Sequence, residues 1–89
     1  MNFRKTLKSI GIIPVIQIND AEKAVPLALA LKKGGLPAAE VTFRTDAAEE
    51  AIRRIKVEVP DVCVCAGTVL NVKTAERAVK AGASAIISP

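Results

Sequence analysis

The feature that most constrains this chain is a regular alternation of strand-like and helix-like segments. Four apolar runs are centred near residues 15, 40, 64 and 86, which are 22 to 25 residues apart, and helix-like segments lie between them. This alternation is typical of βαβ units, in which consecutive strands are parallel and the crossovers are right-handed. It predicts an α/β fold with one parallel sheet, from strand runs 12–18, 38–43, 62–66 and 84–88.

Capping residues mark the first two predicted helices. Asp20 is the expected N-cap of the first, which ends at Gly34-Gly35 and should be kinked by Pro26. In the second, Asp46 and Glu49 have the spacing of a capping box. The second helix also carries an apolar stripe, formed by Ala47, Ala48, Ala51, Ile52 and Ile55.

The third helix and a short N-terminal helix complete the pattern. The third is expected to begin after Asn71 and to end near Gly82, and its predicted buried residues are Ala75, Ala78 and Val79. Before the first strand, apolar residues at helical spacing predict a short amphipathic helix; they are Phe3, Leu7 and Ile10. No internal domain boundary interrupts residues 1–89.

Composition narrows the classes of function. The 89 residues are 51% apolar with two aromatic side chains, which is more apolar surface than so short a chain covers well by itself. The net charge of +4 indicates either a solvated surface or a preference for anionic ligands. Nucleic acid is not expected as a partner, because no basic run exceeds two residues and aromatic side chains for base stacking are scarce. No segment has the ~18 uncharged residues that a membrane span requires.

Cys63 and Cys65 lie two residues apart on a predicted strand. Side chains at this spacing share a face ~6.5 to 7 Å apart, which does not suit a disulfide between them. The chain has no histidine and no further cysteine, so a zinc site would lack ligands. We expect two buried thiols, no metal and a reducing, cytoplasmic location.

Polar residues collect where the predicted strands end. Glu40, Thr42 and Arg44 alternate along the second strand and so share a face, although an unpaired buried carboxylate is costly. The carboxyl ends of parallel strands form one rim, where such sheets bind ligands. A structural ion pair between Glu40 and Arg44, a solvated Arg44 or a turn capped by Thr68 are the alternatives to a site. The other rim residues are Gln17, Ser88 and Pro89.

Four motifs, PVIQI, EVTFRT, CAGTVLN and AGASAIISP, occur in an order and spacing that resemble the first half of 2-keto-3-deoxy-6-phosphogluconate and 4-hydroxy-2-oxoglutarate aldolases. The resemblance extends over essentially the whole chain. It implies a (β/α)8 TIM barrel, of which residues 1–89 would be the N-terminal half, with the strands in the order 1-2-3-4 and the helices on one side of the sheet. It also implies a homotrimeric, metal-independent lyase without a cofactor, which cleaves a 2-keto-3-deoxy sugar acid to pyruvate and an aldehyde through a lysine Schiff base.

The resemblance also assigns roles to single residues. Glu40 matches the glutamate that transfers protons, and Arg44 and Thr68 match the residues that bind the substrate carboxylate. Pro89 stands where the motif ISP lines the pocket. Some family members have arginine where this chain has Gln17, so Gln17 receives no role.

The lysine that forms the Schiff base is not expected within this sequence. None of the eight lysines lies in a strand-like run, whereas the chemistry needs a desolvated amine on a strand. The resemblance places that lysine and the phosphate-binding region in the later half of the barrel. The 89 residues alone should therefore be inactive, and a non-catalytic half-barrel that serves as a scaffold or assembly module is the alternative.

Overall fold

Four parallel strands form one sheet in the computed structural model, which describes residues 13–87. The order β1-β2-β3-β4 confirms the predicted topology. The predicted N-terminal helix, Ser88 and Pro89 lie outside the described residues. The strands are β1 (Val15–Ile16), β2 (Ala38–Thr42), β3 (Cys63–Gly67) and β4 (Ala85–Ile86); the helices are a 3₁₀ turn (Ala21–Lys23), α1 (Ala24–Lys33), α2 (Ala48–Glu58) and α3 (Val72–Ala81).

The central pair of strands forms the frame of the sheet. β2 and β3 are aligned over five residue pairs, from Ala38 opposite Cys63 to Thr42 opposite Gly67. Within residues 13–87 the outer ladders, β1 with β2 and β3 with β4, comprise two residue pairs each. Over this range the outer strands are shorter than the runs predicted from the sequence.

The two faces of the sheet differ in what covers them. One face packs against all three helices, and its side chains meet Ile52 and Ile55 of α2 in the main core. The other face is covered by small side chains, among them Ala38, Cys63 and Cys65. Because the helices share one face, the opposite face is where a pocket can form between neighbouring strands.

The start of the first helix differs from the prediction. Asp20 is an N-cap, since its carboxylate accepts a hydrogen bond from the Glu22 N–H at 2.9 Å, but it caps the 3₁₀ turn. α1 begins only at Ala24, so Pro26 lies in its first turn. The N–H groups of a first turn have no acceptor within the helix, so proline fits there at little cost. Pro26 therefore removes no hydrogen bond from within α1, which was the reason for expecting a kink.

The predicted capping box of the second helix is also wrong. The N-cap of α2 is Ala47, and no side chain caps this end. Glu49 points instead to basic residues on two helices: it accepts from Arg77 Nε of α3 at 2.9 Å and lies 3.5 Å from Arg53 Nη2. An ion pair between neighbouring helices has replaced the local hydrogen bond that the spacing of Asp46 and Glu49 suggested.

Both ends of the third helix are as predicted, but one of its faces is not. Asn71 accepts from the Thr74 N–H at 2.8 Å, and Gly82 ends the helix with a left-handed backbone (φ 103°). Ala78 is buried as expected. Val79 was expected to be buried and is 60% exposed, because α3 packs through Ala78 and Ala81 and turns Val79 outward.

Candidate active site

The carboxyl ends of β1, β2 and β3 surround a pocket of about 400 Å³. It lies at the rim where the sequence predicted that polar residues would meet. Pro89, which was also predicted for this site, lies outside the described residues. The pocket is lined by Val15, Ile16, Gln17, Glu40, Thr42, Arg44 and Thr68.

Glu40 occupies the middle of this lining. It lies on β2 between Val15 of β1 and Cys65 of β3, and it is partly buried. Its backbone N–H donates to the carbonyl of Pro14 at 2.9 Å, which fixes its position against β1. Its side chain extends over Gly67, two residues beyond Cys65. A carboxylate is thereby directed toward the carboxyl end of the sheet.

Arg44 supplies the positive charge of the lining. It is exposed and lies in the turn that follows β2, beyond the last residue pair of the β2–β3 ladder. Within residues 13–87, no ion pair joins it to Glu40. The structural ion pair considered from the sequence is therefore not formed, and both groups are directed to the same pocket without neutralising each other.

Thr68 has an unusual backbone conformation. Its φ of 55° is the one left-handed value among the described non-glycine residues, and a β-branched side chain disfavours this region. Such strain persists where the surrounding structure enforces it, and it is often found at functional sites. The turn after β3 thus brings Thr68 to the pocket at some cost in backbone energy.

Two threonine hydroxyls donate hydrogen bonds to backbone carbonyls in and just after β1, which forms one wall of the pocket. The Thr42 hydroxyl donates to the carbonyl of Ile16 at 3.4 Å, and the Thr45 hydroxyl donates to the carbonyl of Ile18. Thr42 is only 6% exposed. Thr42 shares the pocket face predicted for it, but its hydroxyl holds β1 to β2.

Both cysteines lie in the small apolar cluster with Ala38, on the face of the sheet opposite the helices. Cys63 and Cys65 are free and buried, as expected. Burial raises the pKa of the Cys65 thiol to about 12, and the neighbouring Cys63 and Glu40 act in the same direction. Cys65 therefore stays protonated at neutral pH and cannot serve as a nucleophile there.

Two residues of this region carry no role predicted from the sequence. Gln17 received no role, yet it lines the pocket and donates from its amide to Asn19 Oδ1 at 3.3 Å. Gly67 was not singled out, although a lone glycine within a strand can mark a close approach of another group.

In residues 13–87 no group of acidic, histidine and cysteine side chains is arranged to hold a metal ion. The helices of this part are also too short or too polar to cross a bilayer.

The arrangement suits recognition of a small anionic substrate beside a proton-transferring group. Arg44 can form charge-assisted hydrogen bonds to a carboxylate, to which the Thr68 hydroxyl can add another. Glu40 can accept or donate a proton at a substrate held between them. All described lysines lie exposed at or near helices, so none offers a desolvated amine to this pocket.

The sequence matches the family model described as "Aldolase: KDPG and KHG aldolase" over residues 3–89. It is 49% identical over 92 aligned residues to the KHG/KDPG aldolase of Escherichia coli K12, an alignment that covers 99% of this chain and 43% of that protein. The chain thus spans about two fifths of the length of the curated relatives it matches.

Solved structures agree with this comparison. The 2-keto-3-deoxy-6-phosphogluconate aldolase of Zymomonas mobilis ATCC 29191 is 43% identical, with a TM-score of 0.90 over 100% of this chain and 43% of its own. The KDPG aldolase of Legionella pneumophila, which holds pyruvate as a covalent carbinolamine intermediate, is 40% identical. Its TM-score is 0.88 over 94% of this chain and 41% of its own. The four-stranded sheet has the fold of these TIM-barrel enzymes over the part that it covers.

Proposed function

The chain belongs to the KDPG and KHG aldolase family, and from this premise we propose that it is the N-terminal half of a single (β/α)8 aldolase barrel. The whole protein would cleave 2-keto-3-deoxy-6-phosphogluconate or 4-hydroxy-2-oxoglutarate to pyruvate and an aldehyde. The observation that carries the proposal is the joint presence of Glu40, Arg44 and Thr68 in the lining of one pocket at the carboxyl rim of the sheet.

In this proposal Arg44 and Thr68 hold the carboxylate of the keto acid. Such binding fixes the keto carbon beside Glu40 and replaces a chance encounter with a bound geometry. Pro89 would line the same pocket. The phosphate of a phosphorylated substrate would be held by residues in the later half of the proposed barrel.

Glu40 is proposed to transfer protons during imine formation and carbon–carbon cleavage. After a lysine amine has replaced the keto oxygen and water has left, Glu40 accepts the proton of the substrate C4 hydroxyl. The C3–C4 bond then breaks, its electron pair moves into the protonated imine to give a neutral enamine, and the aldehyde departs. Protonation of C3 and hydrolysis of the imine release pyruvate and regenerate the amine.

The lysine for this reaction would come from a later strand of the barrel. The described lysines lie at or near helices and are exposed, whereas a nucleophilic lysine needs desolvation or a cationic neighbour. We therefore expect the 89 residues alone to be inactive. By the same family relationship, we propose a cytoplasmic homotrimer of the Entner–Doudoroff pathway of carbohydrate metabolism that uses neither metal nor cofactor.

The first test uses the full-length protein that the proposal implies. A measured intact mass of roughly twice the 9.3 kDa of this chain, or more, would indicate that the purified protein contains the remaining strands. Incubation with pyruvate and borohydride should then leave a reduced pyruvate adduct on one lysine, detected by intact mass and peptide mapping. The absence of an adduct and of aldolase activity from the full-length protein would contradict the proposed function.

A substitution then tests the role of Glu40. Glu40→Gln should reduce turnover by ~10² to 10⁴-fold, because the amide cannot act as a general base. The pyruvate adduct should still form, but more slowly. The matched control is Glu58→Gln at the exposed end of α2, which should leave turnover unchanged. Unchanged turnover in Glu40→Gln would exclude Glu40 from proton transfer.

A further inference from the structure

Gly67 lies in closer contact with Glu40 than any other residue type would allow. A Cβ atom added to Gly67 would lie 2.2 Å from Glu40 Oε2, 2.7 Å from Cδ and 2.8 Å from Cγ. All three distances are shorter than the contacts that carbon and oxygen atoms tolerate. The side chain of Glu40 therefore fills the volume that a side chain at position 67 would need.

Strand register brings these two residues together. Glu40 is aligned with Cys65, and Gly67 is aligned with Thr42, so both lie on the pocket face of the central strand pair. Side chains on one face of a sheet recur every second residue. Glu40 reaches diagonally across this interval to the backbone of β3, toward the carboxyl end.

The backbone at position 67 does not itself require glycine. Among the described glycines, positive φ values occur at Gly35 and Gly82, and Gly67 has no such value. An L-amino acid could therefore adopt the backbone conformation at position 67 without strain. What requires glycine is the space taken by the Glu40 side chain.

We propose that Gly67 is a positioning residue for the Glu40 carboxylate. Its bare backbone leaves a channel over β3 in which the Glu40 side chain lies, so that the carboxylate stays in the pocket lining with Arg44 and Thr68. Where it concerns catalysis, this inference rests on the proposed aldolase function. Any side chain at position 67 would displace the Cγ atom and the carboxylate of Glu40 from their positions.

A stability cycle in the full-length protein tests the contact itself. Gly67→Ala should lower the melting temperature slightly, by up to ~2 °C, because the new methyl group forces the flexible Glu40 side chain to turn away. In a Glu40→Ala background the colliding atoms are gone, and Gly67→Ala should leave the melting temperature unchanged or raise it, since alanine loses less entropy than glycine on folding. Equal shifts in the two backgrounds would overturn the proposal.

Kinetics test the positioning role. Gly67→Ala should reduce kcat by ~10²-fold, as expected for a misplaced catalytic group. KM should change little, because Arg44 and Thr68 still contact the carboxylate of the substrate. In a Glu40→Gln background, the same change should cause no further loss. Full activity of Gly67→Ala, or equal losses in both backgrounds, would overturn the role.

A matched glycine serves as the control. Gly34→Ala adds a methyl group at the end of α1, where φ is −80° and the nearest atom, the carbonyl oxygen of Ala30, lies at 3.4 Å. It should change neither activity nor the effect of Glu40→Ala on stability. If the full-length protein proves not to be an aldolase, the catalytic role is overturned with the proposed function. The stability cycle still decides whether Gly67 positions the carboxylate.

Discussion

The buried Cys65 thiol should resist alkylation while the full-length protein is folded. Cys65 is 0% exposed, and its pKa is raised from 9.0 to about 12. Because alkylating reagents react with the thiolate, the ionised fraction limits the rate. At pH 8 that fraction falls from roughly one in ten for a thiol of pKa 9.0 to roughly one in 10⁴, a decrease of ~10³-fold. Exclusion of the reagent from the strand slows the reaction further.

The assay follows iodoacetamide labelling by peptide mass spectrometry at pH 8. A Cys63→Ala variant isolates the thiol of Cys65, and the denatured protein gives the reference rate. Adding Val57→Cys, at a position that is 72% exposed on α2, supplies an accessible thiol in the same protein. We expect Val57→Cys to label at close to the denatured rate and Cys65 to label at least ~10³-fold more slowly.

Rapid labelling of Cys65 in protein that retains its near-ultraviolet circular dichroism would refute this reasoning. It would mean that water and reagent reach the side chain of Cys65 in β3, and that burial does not hold the pKa of Cys65 high. Between pH 8 and pH 9 the rate for Cys65 should rise about tenfold, since both values lie well below a pKa of about 12. A plateau above pH 9 would indicate an ordinary thiol.

Two further predictions concern stability and association. Ile52→Ala should lower the free energy of unfolding of the full-length protein by ~2 to 5 kcal/mol, because Ile52 is 0% exposed in the main core; Val57→Ala, its exposed control, should change it by less than ~0.5 kcal/mol in urea titrations. The 89-residue chain alone should self-associate or aggregate in sedimentation at micromolar concentration, because the edges at β1 and β4 carry few charges. A monodisperse, well-packed monomer would contradict this and favour the scaffold alternative.

Local sequence signals predicted most of the fold because each acts over a few residues. Asn71 and Gly82 mark the ends of α3 through hydrogen bonds and backbone preferences that neighbouring residues determine. The spacing of the strands predicted parallel βαβ units, but the order 1-2-3-4 came from the resemblance to a barrel family, since doubly wound sheets with the same alternation have other orders. Glu49 shows the limit of such signals, because its partner Arg77 is 28 residues away on another helix.

Features that depend on packing between elements were harder to predict. α3 has apolar residues on two sides, and the sequence does not specify that Ala78 rather than Val79 is buried in the main core. In the candidate site, residue spacing predicted that Glu40, Arg44 and Thr68 would lie at one rim. The contact between Glu40 and Gly67 requires the register of β2 against β3, which no local pattern contains.

The unequal lengths of the ladders divide the pocket into parts of different local stability. Backbone amides exchange with solvent through local opening, which costs least where few hydrogen bonds and contacts must break. Val15–Gln17 border a two-residue ladder, whereas Glu40 and Gly67 belong to the five-residue ladder. Deuterium should therefore enter the β1 wall well before the β2–β3 wall, although the two threonine hydroxyls slow the fraying of β1. The pocket would widen from the β1 side while its carboxylate stayed in place.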